Sequence, residues 1–315
     1  MDKILKLSEP VKGQAFNTRA TVELPVGPRY HRLVFEIEVS AAATGQHVAL
    51  ADVLGLINVK ANGTSQRQIL ATELDHINTL NGANYAHNVD NGAGGATATG
   101  GKHRFMLPMF FAEPWRKGWA AQESRALKTS WVDGSHLNSL QLEFDIPALN
   151  ATNIAAAATI SFKVWTLTDA VAGGLDANKQ PIANINKYYR NFEPYTAAGD
   201  LYLTRFAKRQ AYEAIHLYTP TDTISNVKVT VDSVIKRDAS KAANDNSLIY
   251  YDLNEAGINA NWYDVVFDMS DLVEDALFMT TSTGAPVQDF QVIPTVVGSA
   301  GPGIYVVNEV YGPLD

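Results

Sequence analysis

Tyr30 to Val39 reads YHRLVFEIEV, with Leu33, Phe35, Ile37 and Val39 on every second position and charged residues interleaved. A period of two is that of a strand with one face in a core and the other toward solvent. Outward from it, the turn Pro25-Val-Gly-Pro28 leads back to a shorter candidate at Thr21–Leu24. Segments of the same character recur at Leu56–Lys60, Arg104–Phe111, Leu140–Ile146 and Ile160–Thr166. They recur again at Ala214–Tyr218, Val227–Val231, Leu248–Leu253, Trp262–Phe267, Phe290–Val297 and Ile304–Val310. Helices are expected to be few and short. The best is Ser65–Leu80, where Ile69, Leu70, Leu74 and Ile77 keep a 3.6 period, with a shorter one after Asp232.

Composition agrees with an all-β reading: 315 residues, 46% hydrophobic and 18% charged, with 22 Gly and 13 Pro to make turns. The 25 basic and 33 acidic side chains leave a net charge of −8. With no basic block to neutralise a run of phosphates, sequence-specific nucleic-acid binding is not expected. Zero cysteines exclude disulfides, thiolate catalysis and thiolate metal sites. The apolar run within Met1–Pro10 is too short for a signal peptide and no window has the length of a membrane span, so folding in the cytoplasm is expected.

Two stretches interrupt the strands. Asn81–Gly101 holds six Gly and five Ala in 21 residues and reads as an exposed excursion. Asp169–Lys187 is poor in large apolar residues and lies near the middle of the chain, which suggests a first domain over 1–170, a linker over 171–187 and a second domain over 188–315. The halves read as copies. Asn58-Val59-Lys60 and Asn226-Val227-Lys228 each follow a strand led by a tyrosine, Tyr30 or Tyr212, and each precedes a turn and a polar stretch with an arginine, Arg67 or Arg237.

Chemistry-bearing motifs are missing. The seven histidines are scattered without metal spacing, although His103 and His136 could converge in space. There is no nucleophile elbow, P-loop or dinucleotide fingerprint. Glu143 and Asp145 share a strand face and read as solvated side chains before they read as an acid and base pair. Asp238, Asn244, Asp245 and Asn246 could offer oxygen ligands to a structural calcium ion, but lack the spacing of a calcium loop. No other cofactor is expected. Trp115 and Trp119, flanking Arg116-Lys117-Gly118, suit a domain or subunit contact. Lys3, Ile4, Leu5, Lys6 and Leu7, with Lys12 beyond, form a mixed basic and apolar amino-terminal segment expected to face inward, against an anionic bilayer or a neighbouring subunit.

An ordered series of short matches carries a family resemblance. It runs through Leu24-Pro25-Val26-Gly27 with Tyr30, Ile57–Lys60 with Asn62-Gly63 and Arg67, Phe111–Pro114 with Lys117-Gly118, and Leu140–Ile146. It continues through Val227–Asp232, Arg237-Asp238, Ala243–Asn246 and Trp262–Met269. The chain resembles the double jelly-roll major capsid proteins of tailless, membrane-containing icosahedral bacteriophages, of the corticovirus type. The resemblance implies two eight-stranded jelly rolls side by side, a few short helices and long loops. It implies a structural protein and not an enzyme, forming homotrimers of pseudo-sixfold outline that tile a shell over an internal membrane. Minor capsid and vertex proteins would be further partners, the capsid of the virion the destination and the bacterial cytoplasm the place of assembly. Two other classes share such building blocks. One is a two-domain β-sandwich carbohydrate-binding protein or glycosidase, which would recruit Trp115, Trp119, Glu143 and Asp145; the other is a phage spike or receptor-binding protein.

Overall fold

The computed structural model describes residues 3–43, 46–85, 102–116, 119–207, 210–251, 253–268, 276–280, 285–298 and 301–314, with the backbone alone for 119–121. Most of the Gly-rich excursion, residues 86–101, lies outside the described residues. The chain forms two compact units: Met1–His76 with Ala83–Ile185 and Pro313–Asp315, and Ile77–Gly82 with Asn186–Gly312.

The strands of the first unit are β1 (Ile4–Leu7), β2 (Thr18–Leu24), β3 (Arg29–Val39), β4 (Leu56–Ala61), β5 (Thr64–Leu70), β6 (His103–Phe110), β7 (Leu140–Ile146) and β8 (Ile160–Asp169). Helix α1 (Ala71–Leu80) runs on from β5, and α2 (Trp119–Ser124) lies between β6 and β7. The strands hydrogen-bond in the orders β1-β8-β3-β6 and β2-β7-β4-β5, so that two four-stranded layers make an eight-stranded jelly roll. The alternation in β3 does what its pattern requires: Leu33, Phe35, Ile37 and Val39 are wholly buried. Phe35 meets Phe144 of β7 edge-on at 5.5 Å, and Phe144 meets Phe162 of β8 at 4.9 Å, which locks the two layers together. Each such phenylalanine contributes about 1.5–3 kcal/mol on burial.

The second unit repeats the plan with β9 (Asn184–Glu193), β10 (Gly199–Asp200), β11 (Ala211–Tyr218), β12 (Thr223–Val231), β13 (Val234–Ser240), β14 (Trp262–Val266), β15 (Leu277–Phe278), β16 (Phe290–Val297) and β17 (Ile304–Pro313). Helix α3 (Lys241–Tyr250) follows β13. The orders β9-β17-β11-β14 and β10-β16-β12-β13 reproduce those of the first unit strand for strand, with β15 added beside β11. Its core gathers Tyr212, Ile215, Leu217, Val227, Val229, Tyr263, Phe290 and Val306 among others.

The correspondence reaches single hydrogen bonds. The hairpin turns Asn62-Gly63 and Asp232-Ser233 take positive φ at both residues (51° and 83°, 48° and 65°), the turn form that matches the twist of a hairpin. The Asn62 carboxamide oxygen accepts from the Asn138 amide at 2.8 Å, and the Asp232 carboxylate accepts from the Gln288 amide at 2.9 Å. The Tyr30 hydroxyl donates to the carbonyl of Pro25 and the Tyr212 hydroxyl to that of Ala207, each five residues back. Immediately after these tyrosines both strands bulge, inserting His31 in β3 and Glu213 in β11. Arg67 Nη1 donates to the Phe110 carbonyl at 2.5 Å, and Arg237 Nη1 donates to the Val266 carbonyl at 3.1 Å.

Four expectations are corrected. Ser65–Leu70 is strand and not helix: the Asn62-Gly63 turn folds it back on β4, and helix begins only at Ala71, where the Glu73 carboxylate accepts from the Leu70 amide. Likewise the residues after Asp232 form β13 before α3 begins, and Leu248, expected in a strand over Leu248–Leu253, lies in α3 with its side chain fully buried. The polar run TSQRQ carries no period, so hairpin closure decides its structure. Finally, the repeated Asn-Val-Lys tripeptides occupy counterpart strands, β4 and β12, but not counterpart positions. Counted from the turns, Val59 faces Arg67 as Val229 faces Arg237, which puts Lys228 and not Asn226 opposite Asn58 in the repeat.

Candidate assembly surfaces

The amino-terminal residues singled out by their sequence form the edge of a sheet. β1 pairs antiparallel with β8, Ile4 opposite Thr168 and Leu7 opposite Trp165, and is the end strand of its layer in the first unit. Ile4, Leu5 and Leu7 are 58%, 57% and 44% exposed, and Lys6 is exposed beside them. Lys12 forms an isolated bridge with Thr21. Lys3 reaches Glu123 of α2 at 2.5 Å.

That contact opens onto a buried charge cluster. The His31 ring, thrust out of register by the β3 bulge, has Nδ1 3.1 Å from Glu123 and Nε2 2.8 Å from Asp169. Arg29 Nη2 lies 3.2 Å from Glu123 and 2.5 Å from Asp169. Burial pushes the Asp169 carboxyl up, but the hydrogen bonds from Arg29, His31 and the Val171 amide outweigh it and hold the group well below the usual carboxylate range. The three ligating side chains His31, Glu123 and Asp169 converge closely enough to hold a cation, yet Arg29 and Lys3 already neutralise both carboxylates. The arrangement suits a structural clamp joining α2 to β3 and β8. Sequence reasoning missed it because its members lie at residues 3, 29, 31, 123 and 169.

The second unit has its own buried set. His216 Nδ1 is 2.7 Å from Asp264, and Nε2 is 3.6 Å from Glu309. Burial alone would lower the His216 pKa, but the two carboxylates push it up to about 9, so the ring is an imidazolium at neutral pH. Glu309 also accepts from the Asn186 side chain at 3.0 Å and from the Tyr188 hydroxyl at 3.2 Å. Charge is fixed in place here, with the carboxylates serving as counter-ions.

The remaining candidates fall into ordinary partnerships. Trp115 is half-buried, edge-on to Phe110 at 5.3 Å and 84°. Trp119 begins α2 and its side chain lies outside the described residues. Glu143 pairs with Lys60 at 2.7 Å, and Asp145 with Arg19 at 2.7 Å, so both carboxylates of that strand face are engaged by cations. Asp238 accepts from Asn226 at 3.0 Å, Asp245 pairs with Lys241 at 2.6 Å, and buried Asn244 donates to the Asp264 carbonyl at 2.9 Å. His103 pairs with Val39 in the β3–β6 ladder and His136 is bridged to Ser130; among the described residues neither joins a group of metal-ligating side chains.

Among the described residues the outer face of β1-β8-β3-β6 is only partly covered. Leu5, Val34, Met106, Pro108 and Trp165 bound a cavity of about 460 Å³ on it, together with Arg32, Glu36, Asn84 and Tyr85. A second cavity of about 90 Å³, bounded by Arg32, Phe110, Pro114, Glu123 and Leu167, adjoins it through Arg32. Open hollows with a large apolar share on a structural fold suit association with another surface.

Residues 5–164 match the family described as the viral coat protein P2 N-terminal domain. The chain belongs to this coat protein family. It is a capsid protein, a building block of a virus shell and not an enzyme. No curated protein matches it. Among solved structures, the major capsid protein P2 from bacteriophage PM2 is similar at 17% identity and a TM-score of 0.70, covering 98% of this chain and 97% of that one. The STIV major capsid protein is similar at 13% identity and a TM-score of 0.70, covering 100% and 97%. The PBCV-1 virus capsid follows at 8% identity and a TM-score of 0.63, covering 98% and 93%. At such identities these likenesses speak for the fold, and that fold is the double jelly roll already traced in the strand orders of this coat protein.

Proposed function

We propose that this coat protein is the major capsid protein of a tailless icosahedral bacteriophage, assembling as homotrimers that tile a shell over an internal membrane. The observation that carries the reading is the doubled jelly roll of a coat protein family member: three copies of a chain with two like units supply six like units, which suits a pseudo-sixfold tile. The open apolar hollows on β1-β8-β3-β6 support association with further copies, and Trp115, next to Phe110 on that face, is offered with Trp119 as part of the contact. The bare β1 edge, with Ile4, Leu5, Leu7 and Lys6 exposed, supports an inward position for the amino-terminal segment. Each basic residue would contribute about 1 kcal/mol at an anionic bilayer, so lipid contact would depend on many copies acting together. In this reading minor capsid and vertex proteins are further partners and nucleic acid is not contacted directly. A structural calcium ion at Asp238–Asn246 would be an accessory.

Light scattering of the purified protein tests the tile: the mass should be that of three chains. A denaturing gel of purified particles tests the role: this chain should be the dominant band. A monomer at every concentration, or a minor band, would overturn the corresponding half of the reading.

A further inference from the structure

Because the chain repeats one plan, each surface of one unit can be compared with its counterpart in the other, and a counterpart that is covered shows what is missing where the surface is bare. In the second unit, Ala214 of β11 and Val266 of β14 face each other across the ladder, and both are buried together with Leu80, the last residue of α1. In the first unit their counterparts are Arg32 and Phe110. These follow the same tyrosine and bulge, pair with each other, and end at the carbonyl held by the counterpart arginine. Among the described residues no helix end covers them; Arg32 and Phe110 border the cavity of about 90 Å³. The rest of the layer follows suit. β11 is buried on both faces over nearly its whole length, whereas β3 is buried on one face and only partly covered on the other.

The counterpart of α1 is α3, since turn, strand and helix in the two units keep a constant separation, and by that count Tyr250 stands where Leu80 stands. Leu80 is fully buried, whereas Tyr250 is 79% exposed, with Ile249 and Tyr251 beside it at 43% and 44%. Among the described residues, one unit therefore has a helix end without a seat, and the other a seat without a helix end.

We infer that the α3 end of one copy docks on the outer face of β1-β8-β3-β6 of a second copy, Tyr250 entering the cavity between Arg32, Phe110 and Leu167. The chemistry fits this occupant. The hollow is apolar at Phe110, Pro114 and Leu167 and polar where Lys3, His31, Gln122 and Glu123 line it, and Arg32 Nε there is buried without a hydrogen-bond partner among the described residues. A tyrosine brings a ring for the first and a hydroxyl acceptor for the second, and exposed Glu255, just beyond α3, adds a negative charge. The two patches lie on different parts of the chain, so the contact is head-to-tail, and three such contacts would close the trimer into a ring. The inference rests on the trimer proposed above and specifies its interface.

The absence of cysteine makes the test clean. The doubly substituted chain Leu167→Cys/Tyr250→Cys, treated with a short bis-maleimide, should give covalent dimers and trimers on a denaturing gel, and neither single variant should. A control pair, Ser161→Cys/Tyr250→Cys, moves the first cysteine about 20 Å along β8 and should not link. Tyr250→Ser should leave the far-ultraviolet circular dichroism unchanged while weakening the trimer at least tenfold, the loss expected of a buried aromatic anchor. Trimers by light scattering with no specific link, or with unchanged dissociation of the serine variant, would overturn the docking and leave assembly standing. A monomeric wild-type chain would overturn both.

Discussion

At His216, two carboxylates and full burial make protonation part of folding. Its pKa stands at about 9 in the folded chain against an ordinary 6.5, so its contribution is fully present below about pH 6.5 and is lost as pH rises through about 9. A shift of this size corresponds to about 3 kcal/mol. Urea denaturation at pH 6 and pH 9 should therefore show a fall in stability that shrinks in His216→Gln, which has no proton to lose. Equal pH dependence in both proteins would remove His216 from the account. In the first unit, Arg67 is buried with its guanidinium 4.4 Å from the Phe111 ring centre while donating to the Phe110 carbonyl. Arg67→Met should cost about 1–3 kcal/mol by leaving that carbonyl without its donor, read as a lower melting temperature.

Among the elements, the two hairpin turns do the same work with unequal residues. Ser233 holds φ 65° and Gly63 holds φ 83° with open space around its missing side chain, so backbone conformation alone separates the two positions. Ser233→Gly should raise stability and Gly63→Ser should lower it, each by roughly 0.5–1 kcal/mol, measured by thermal melting. A fall in the first variant would mean that the Ser233 side chain contributes more than its strained backbone costs. The bulges after Tyr30 and Tyr212 likewise hold one position in both units, but they present His31 to a charge cluster in one and Glu213 in the other. The repeat keeps the backbone device and changes the side chain it delivers.

Over the whole molecule, the proposed inward position of the amino-terminal segment gives a prediction for intact particles. Lys6, exposed in the single chain, should resist an amine-modifying reagent added to whole particles and react once detergent opens them, as read by mass spectrometry of the first peptide. Labelling before detergent would place the segment outside. Trimers kept whole by the same detergent separate membrane shielding from burial between subunits.

Strands such as β7 and β16 were legible residue for residue because alternation is local: each side chain declares its face by its neighbours two positions away. The tyrosine-led strands and the order of elements were enough to suggest duplication. The register of that duplication was not, since Asn58-Val59-Lys60 and Asn226-Val227-Lys228 match as letters but sit two positions apart relative to their turns. Nor was β5, whose polar residues become strand because Asn62-Gly63 turns them back onto β4. The lack of cysteine was enough to exclude catalysis by thiolates. Tertiary structure alone brought Lys3, Arg29, His31, Glu123 and Asp169 into one clamp, and left Tyr250 bare where Leu80 is buried. Local pattern specifies which face a side chain takes, whereas burial and charge pairing depend on which distant segments the closed sheets carry past it.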